Sequence, residues 1–468
     1  FCIFEAMRGR NTGAIIATTA LLLGLGCSNP SRQDSSVRMW MTTADRSQLL
    51  AEQATLPSVS ELSNVVIDID TTVSYQTMDG FGYALTGGSA MVLKTKLTDE
   101  ARTKVLRELF LTEGNGIGVS YLRISIGASD LDERVFSYDD MPIGKTDPSL
   151  SHFTLAYDTL YLIPVLKEIL KLNPSLTIMA SPWSPPAWMK TNHQVKAGSL
   201  RPEYYPVYAN YLSKYIQEMA NEGIRIDAIT IQNEPENPNN TPSLLMTAAE
   251  QSMFIQKHLG PAFQTLGIKT KIVLFDHNCD HPEYPISILD DPGTKPFVDG
   301  SAFHLYLGEI SALSKVHEAH PDKNIYFTEQ WTWSKGRFED DLRWHVRNLV
   351  VGASRHWSRT VLEWNLASDE NFDPHTDDGG CDSCLGALTI GDSIVRNVSY
   401  YIIAHAAKFV PPGSVRISST VVDRLENVAF RTPDGQIVLI VVNDNTREKT
   451  FSIRTHGRVT TSTLPAGA

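Results

Sequence analysis

Between residue 79 and about residue 367, short apolar runs alternate with longer stretches whose apolar positions recur at helical spacing. The runs cover 81–86 (FGYALT), 121–127 (YLRISIG), 177–183 (TIMASPW), 228–235 (AITIQNEP), 271–278 (KIVLFDHN), 300–306 (GSAFHLY), 323–330 (KNIYFTEQ) and 360–367 (TVLEWNLA). Most are apolar at successive rather than alternate positions, the pattern of parallel strands buried on both faces. The segments between them carry helix punctuation. Thr98 precedes 99–110 as an N-cap, Gly223 closes 206–222, and Gly267 closes 248–266. Eight strand-then-helix steps predict a (β/α)8 barrel. A doubly wound sheet is the alternative, but it would more often carry a glycine-rich phosphate turn after its first strand. The sequence holds no G-x-G-x-x-G or Walker pattern.

The pattern changes at both ends. Residues 64–76 (NVVIDIDTTVSYQ) alternate apolar and polar, and residues 414–454 do so again. Pro433, Asp434 and Gly435 read as a hairpin turn between 425–431 and 436–443, and Asp444 and Asn445 open a second turn before 449–454. The resulting α/β architecture is a barrel over 79–400 with a side antiparallel β-sandwich built from both chain ends, 60–78 and 401–468. After 449–454 no further strand is read, which would leave one sandwich edge unpaired, as in a truncated domain.

Residues 1–36 read as a leader and tether. Met7 to Arg10 form a positive segment, and Ala14 to Gly26 an apolar run too short to span a bilayer comfortably. The run ends at Leu25-Gly26-Cys27-Ser28, a bacterial lipoprotein-type processing site. Export is expected, with a lipid on Cys27 as the only membrane attachment; plain secretion is the alternative. Cys381 and Cys384, in "GGCDSC", suit a loop disulfide in an exported protein or reduced thiols. No second pair stands at metal spacing, and neither metal nor cofactor is expected. The net charge of −12 argues against a general nucleic-acid binder.

In a barrel, the C-terminal strand ends carry the chemistry. In order they present Arg123, Trp183, Asn233 with Glu234, Asp276 with His277, His304 with Tyr306, Glu329, and Trp364 with Asn365. Singly, each has an ordinary structural reading: ion-pair partner, core aromatic, buried histidine. Together they place polar and aromatic groups on one rim. Glu234 and Glu329 end the fourth and seventh runs, where two carboxylates could serve as proton donor and nucleophile in glycoside hydrolysis. Trp183, Trp188, Trp331 and Trp364 offer faces for sugar stacking, and Asn233 and Asn365 offer amides for hydroxyls. Glu236, beyond Pro235, is expected to face the loop and solvent.

The segments "GFGYALTGGSA", "SPWSPPAWMKTN", "TIQNEPEN", "FHLY", "YFTEQW" and "EWNLA" together resemble glycoside hydrolase family 30, a retaining family of (β/α)8 glycosidases. The resemblance implies that Glu234 is the acid/base and Glu329 the nucleophile. It implies that Asn233 holds the sugar 2-hydroxyl, that Arg123 and Tyr306 keep Glu329 ionised, and that Trp183 and Trp364 line the subsite; His304 belongs to the same motif. One position departs. Members resembling animal glucosylceramidases carry an Asp after the Thr of the first motif, where this chain has Gly87. Sugar hydroxyls would then be held by another group, such as Asp130. The first motif and the "GGCDSC" loop look more like bacterial members active on β-1,6-linked glucans. The expected partner is therefore a β-linked glucan or glucoside. A glucosylceramidase-like activity and a non-catalytic glycan-binding lipoprotein are the rivals.

Overall fold

The eight runs form eight strands: β1 (Gly80–Ala84), β2 (Tyr121–Ile126), β3 (Thr177–Pro182), β4 (Ala228–Thr230), β5 (Lys271–Cys279), β6 (Val298–Gly308), β7 (Asn324–Glu329) and β8 (Ser358–Asn365). In the computed structural model, which describes residues 2–6 and 37–468, they close into a barrel in sequence order, and β8 pairs parallel with β1. Tyr121, Met179, Ala228, Val273, Ala302, Tyr326 and Leu362, one from each of β2 to β8, make a single buried apolar layer. Side chains two positions further along a strand share its face. The next layer toward the C-terminal ends is therefore Arg123, Ser181, Thr230, His304, Thr328 and Trp364. An apolar plug thus lies beneath a polar tier, and the tier is the floor of the site.

Strand β5 breaks this period. Phe275 and Asp276 have φ of 68° and 65°, left-handed values uncommon away from glycine. The pleat is interrupted, and Asp276 takes the inward place that strict alternation would give Phe275. A second irregularity lies between β6 and β7, where the register shifts so that His304 pairs with Glu329 rather than Thr328.

Thr98 caps the helix Asp99–Phe110 by accepting from the Ala101 N–H at 3.2 Å. The segment read as one helix over 248–266 has a π-helical stretch, Ile255–Leu259, between Ala248–Phe254 and Gly260–Leu266. Pro261, just beyond it, has no N–H for the helical ladder. Gly267 ends the segment in the left-handed conformation at φ 68°.

The second unit is a nine-stranded sheet. Its order is Arg458–Leu464, Lys449–Thr455, Val66–Thr77, Val415–Ser419, Leu425–Arg431, Ile437–Asn443, Cys2–Ala6, Arg38–Met41, Ala51–Glu52. Met39 and Met41 near one end share a core with Ile453, Phe451 and Leu464 near the other, so the sheet closes over its own apolar face as a sandwich.

Several boundaries differ from the sequence reading. The units divide as Gln76–Pro412 and 1–75 with 413–468, not at 400. Helix Val398–Ala407 is wholly buried, and Tyr83 of β1 donates to the Ser399 carbonyl at 3.0 Å, which binds the helix to the barrel. Residues 37–59 contribute strands to the sheet. Residues 2–6, placed with the leader, form a strand paired antiparallel with Ile437–Val441 and with Arg38–Met41. Cys27 lies outside the described residues. The sheet is not wholly antiparallel, because Lys449–Thr455 runs parallel to Val66–Thr77. Residues 458–464, unread in the sequence, pair with Lys449–Thr455 through a two-residue turn, His456-Gly457, with φ of 49° and 73°. Two positive φ values match the right-handed strand twist, and histidine is a less familiar first turn residue than Asn or Asp.

Candidate active site

Arg123 organises the polar tier. Its side chain is fully buried and every nitrogen has an acceptor. Nε donates to Ser181 Oγ at 3.1 Å, and Nη1 to Glu329 Oε2 at 2.5 Å. Nη2 donates to Asn233 Oδ1 and to Asp276 Oδ2, both at 2.7 Å. A buried guanidinium is tolerable only with such partners. Asp276 in turn accepts from Thr230 and Thr328 hydroxyls, both at 2.7 Å, and lies 3.1 Å from His304 Nε2. The tier is one connected network in which Arg123 and Asp276 fix everything above them.

The two glutamates sit on that network. Glu329 Oε1 accepts from Tyr306 Oη at 2.9 Å. Glu234 Oε2 accepts from Asn237 Nδ2 at 2.7 Å and Asn240 Nδ2 at 3.0 Å. Glu234 has φ 46°, and its N–H donates to the Asp276 carbonyl at 3.0 Å. That turn swings its carboxylate out of β4's line and toward His304. One nitrogen, His304 Nδ1, lies 3.3 Å from Glu234 Oε1 and 3.7 Å from Glu329 Oε1. The two carboxylates therefore face each other across a single imidazole edge.

Burial pushes the Glu329 carboxyl above its ordinary value, and the His304 and Arg123 charges pull it back only in part. Burial acts the same way on Glu234. There the His304 hydrogen bond and charge, with His277 and Asn237, outweigh it and bring the group down to about 2. His304 is raised to about 9 against its burial, by the Glu329 charge and by its bonds to Asp276 and Glu234. The resting cluster thus carries a proton on His304 at neutral pH.

A cleft of about 520 Å³ opens over the glutamates, lined in part by Asp130, Tyr306, Trp331 and Trp364. Arg123, Trp183, Asn233, His304 and Asn365 are brought to the same place but lie almost wholly buried beneath it. Trp183 stacks on Trp364 with ring centroids 5.5 Å apart, and the Arg123 guanidinium lies 4.9 Å from the Trp183 ring. The Cys381–Cys384 pair forms a disulfide on the cleft wall, and the strand Cys384–Leu385 pairs with Thr332–Trp333 just after Trp331. Trp188, offered as a stacking face, is instead buried and donates to the Asp139 carbonyl. Glu236 is exposed and pairs with His281 at 2.8 Å.

The structure explains Gly87. A Cβ there would lie 1.7 Å from Asp132 Oδ1, so the carboxylate of Asp132 occupies the space a side chain would need. Sequence reasoning assigned no part to Asp276, Asn237 or Asn240. Asp276 stood in view at the end of the fifth run, and Asn237 lies three residues after Glu234. Only the backbone turns at Glu234 and Asp276 bring these groups to the carboxylates.

Residues 78–410 match the glycosyl hydrolase family 30 TIM-barrel domain, and residues 413–468 match that family's β-sandwich domain. The chain belongs to glycosyl hydrolase family 30. It is accordingly a retaining glycoside hydrolase. It is 35% identical to an endo-1,6-β-D-glucanase of Neurospora crassa over 408 residues, 83% of each chain. It is 28% identical to the lysosomal acid glucosylceramidase of Mus musculus, over 84% of this chain and 79% of that one. A solved endo-β1,6-glucanase superposes with a TM-score of 0.85 at 33% identity, covering 92% of this chain and 97% of that one. SrfJ from Salmonella typhimurium gives the same TM-score at 26% identity and the same coverage.

Proposed function

We propose that the protein hydrolyses β-1,6-linked glucan by double displacement, with Glu329 as nucleophile and Glu234 as acid/base. The observation that carries the roles is the unequal company of the two carboxylates. Glu329 takes a guanidinium N–H and a phenol O–H, donors suited to an ionised nucleophile. Glu234 is held by two neutral amides beside a histidine.

Glu329 attacks the anomeric carbon as the glycosidic C–O bond breaks, and the leaving oxygen takes a proton from Glu234. Glu234, now ionised, takes a proton from water, whose oxygen attacks the anomeric carbon and releases Glu329. Glu234 must hold a proton at the first step, whereas the resting cluster keeps it on His304. A sugar in the cleft removes water from around Glu234 and raises its proton affinity. Transfer from His304 Nδ1 to Glu234 Oε1 then loads the acid.

Support for β-1,6-glucan as substrate comes from the endo-1,6-β-D-glucanases among the relatives, 31% to 35% identical to this chain. Gly87, with Asp132 in the space a side chain would need, separates this chain's first motif from the glucosylceramidase-like pattern. In a panel of linear β-1,6-, β-1,3- and β-1,4-glucans and glucosylceramide, the β-1,6-glucan should be cut fastest, releasing oligosaccharides. Preferential turnover of glucosylceramide would replace this substrate by the lipid-linked one.

We also propose that the protein is exported and carries a lipid on Cys27, processing before that residue removing the Cys2–Ala6 strand from the mature sheet. Cys27→Ser should move it from the membrane fraction to the soluble exported fraction; an unchanged distribution would remove the anchor.

A further inference from the structure

Beside the Glu234–His304 pair that the proposed chemistry uses stands a third side chain, His277, that it does not. His277 Nδ1 is buried and makes no hydrogen bond, yet it lies 3.8 Å from Glu234 Oε1. His304 Nδ1 lies 3.3 Å from the same oxygen. One ligand atom from each of Glu234, His277 and His304 falls within 4.8 Å of the other two. Ligand atoms around a tetrahedral zinc ion, at ~2.0–2.2 Å from it, stand roughly 3.3–3.5 Å apart. Small adjustments would bring these three to that spacing.

We propose that Glu234, His277 and His304 form a binding site for a divalent transition cation, Zn²⁺ or Cu²⁺, that shuts the enzyme off. The donor set is two imidazole nitrogens and one carboxylate oxygen, which suits these ions and not Mg²⁺ or Ca²⁺. The supporting partners are in place. Asp276 Oδ1 lies 3.1 Å from His304 Nε2, the carboxylate–histidine arrangement that orients metal-bound imidazoles. Asn237 and Asn240 hold Glu234 Oε2 and leave Oε1 for the ion. His277 and Glu234 both line the cleft, which gives the ion an entry path and leaves a fourth position for water. Glu329, also on the cleft and 3.7 Å from His304 Nδ1, adds negative charge nearby.

Binding needs no assumption about the reaction. The loss of activity rests on the proposed role of Glu234, because the ion would occupy the oxygen that must carry the proton.

The test is calorimetric titration of the purified full-length protein with ZnCl₂ in mildly alkaline buffer, together with the visible spectrum of the Co²⁺ form. One equivalent should bind, with tetrahedral Co²⁺ bands. His277→Gln and Glu234→Ala, checked for folding by circular dichroism, should each weaken Zn²⁺ at least tenfold. His281→Gln, at the exposed pair with Glu236, should not. No saturable binding, binding indifferent to His277→Gln and Glu234→Ala, or loss in His281→Gln instead would overturn the site. Zn²⁺ should stop β-glucan hydrolysis and EDTA restore it. If Zn²⁺ binds through His277 while hydrolysis continues at saturation, the site stands and the assignment of Glu234 as acid falls.

Discussion

Glu329→Gln is expected to lower kcat on β-glucan by ~10⁴-fold or more, a barrier increase of about 5–6 kcal/mol. The amide keeps the shape of the carboxylate but cannot form the glycosyl ester. The fold should survive, because Arg123 still donates to Asp276, Asn233 and Ser181, and the amide oxygen can accept from Arg123 or Tyr306. Steady-state kinetics alongside thermal unfolding checks both halves. Activity near that of the wild type in a folded variant would remove Glu329 as the nucleophile.

Glu234→Ala should behave differently from one substrate to another. On glucan, whose leaving alcohol needs a proton, loss of general acid catalysis should cost roughly 10²–10⁴-fold. On aryl glycosides with acidic phenols the first step needs no proton, so much of that loss should disappear there, and slow water attack on the glycosyl-enzyme should appear as a burst. Small anions such as azide, which attack without a base, should speed the second step. The pH profile gives an independent reading. Wild-type activity should fall as pH rises toward about 9, where His304 gives up the proton that loads Glu234. That alkaline limb should vanish in Glu234→Ala assayed on an activated glycoside. Glu236→Ala is the internal comparison: its carboxylate is exposed and bound to His281, so a mild effect is expected. A severe Glu236→Ala with a mild Glu234→Ala would exchange the two assignments.

The barrel could be read from the sequence because parallel strands buried on both faces leave a strong, simple signal. All eight runs became strands, and Thr98 and Gly267 punctuate helical segments where their chemistry said they would. The sheet was less legible. Its Lys449–Thr455 strand joins Val66–Thr77, almost four hundred residues away, and a short alternating segment does not say in which direction a distant partner will run. The boundary at 412 was missed because helix Val398–Ala407 is apolar all round, and nothing in its pattern says what will bury it.

The same division holds at the site. Which side chains reach the barrel mouth is legible from local pattern: strand periodicity places Arg123, His304 and Trp364 two residues beyond the apolar layer, and the strand ends deliver Glu234 and Glu329. What each of them touches is a matter of packing. The left-handed turns at Glu234 and Asp276, the register shift beside His304 and the convergence of Asn237 and Asn240 on one oxygen depend on neighbours far away in the chain. Periodicity is a local property fixed by backbone geometry. The partners of a buried charge are set by which strands the barrel closes side by side, and that is decided only when the whole core packs.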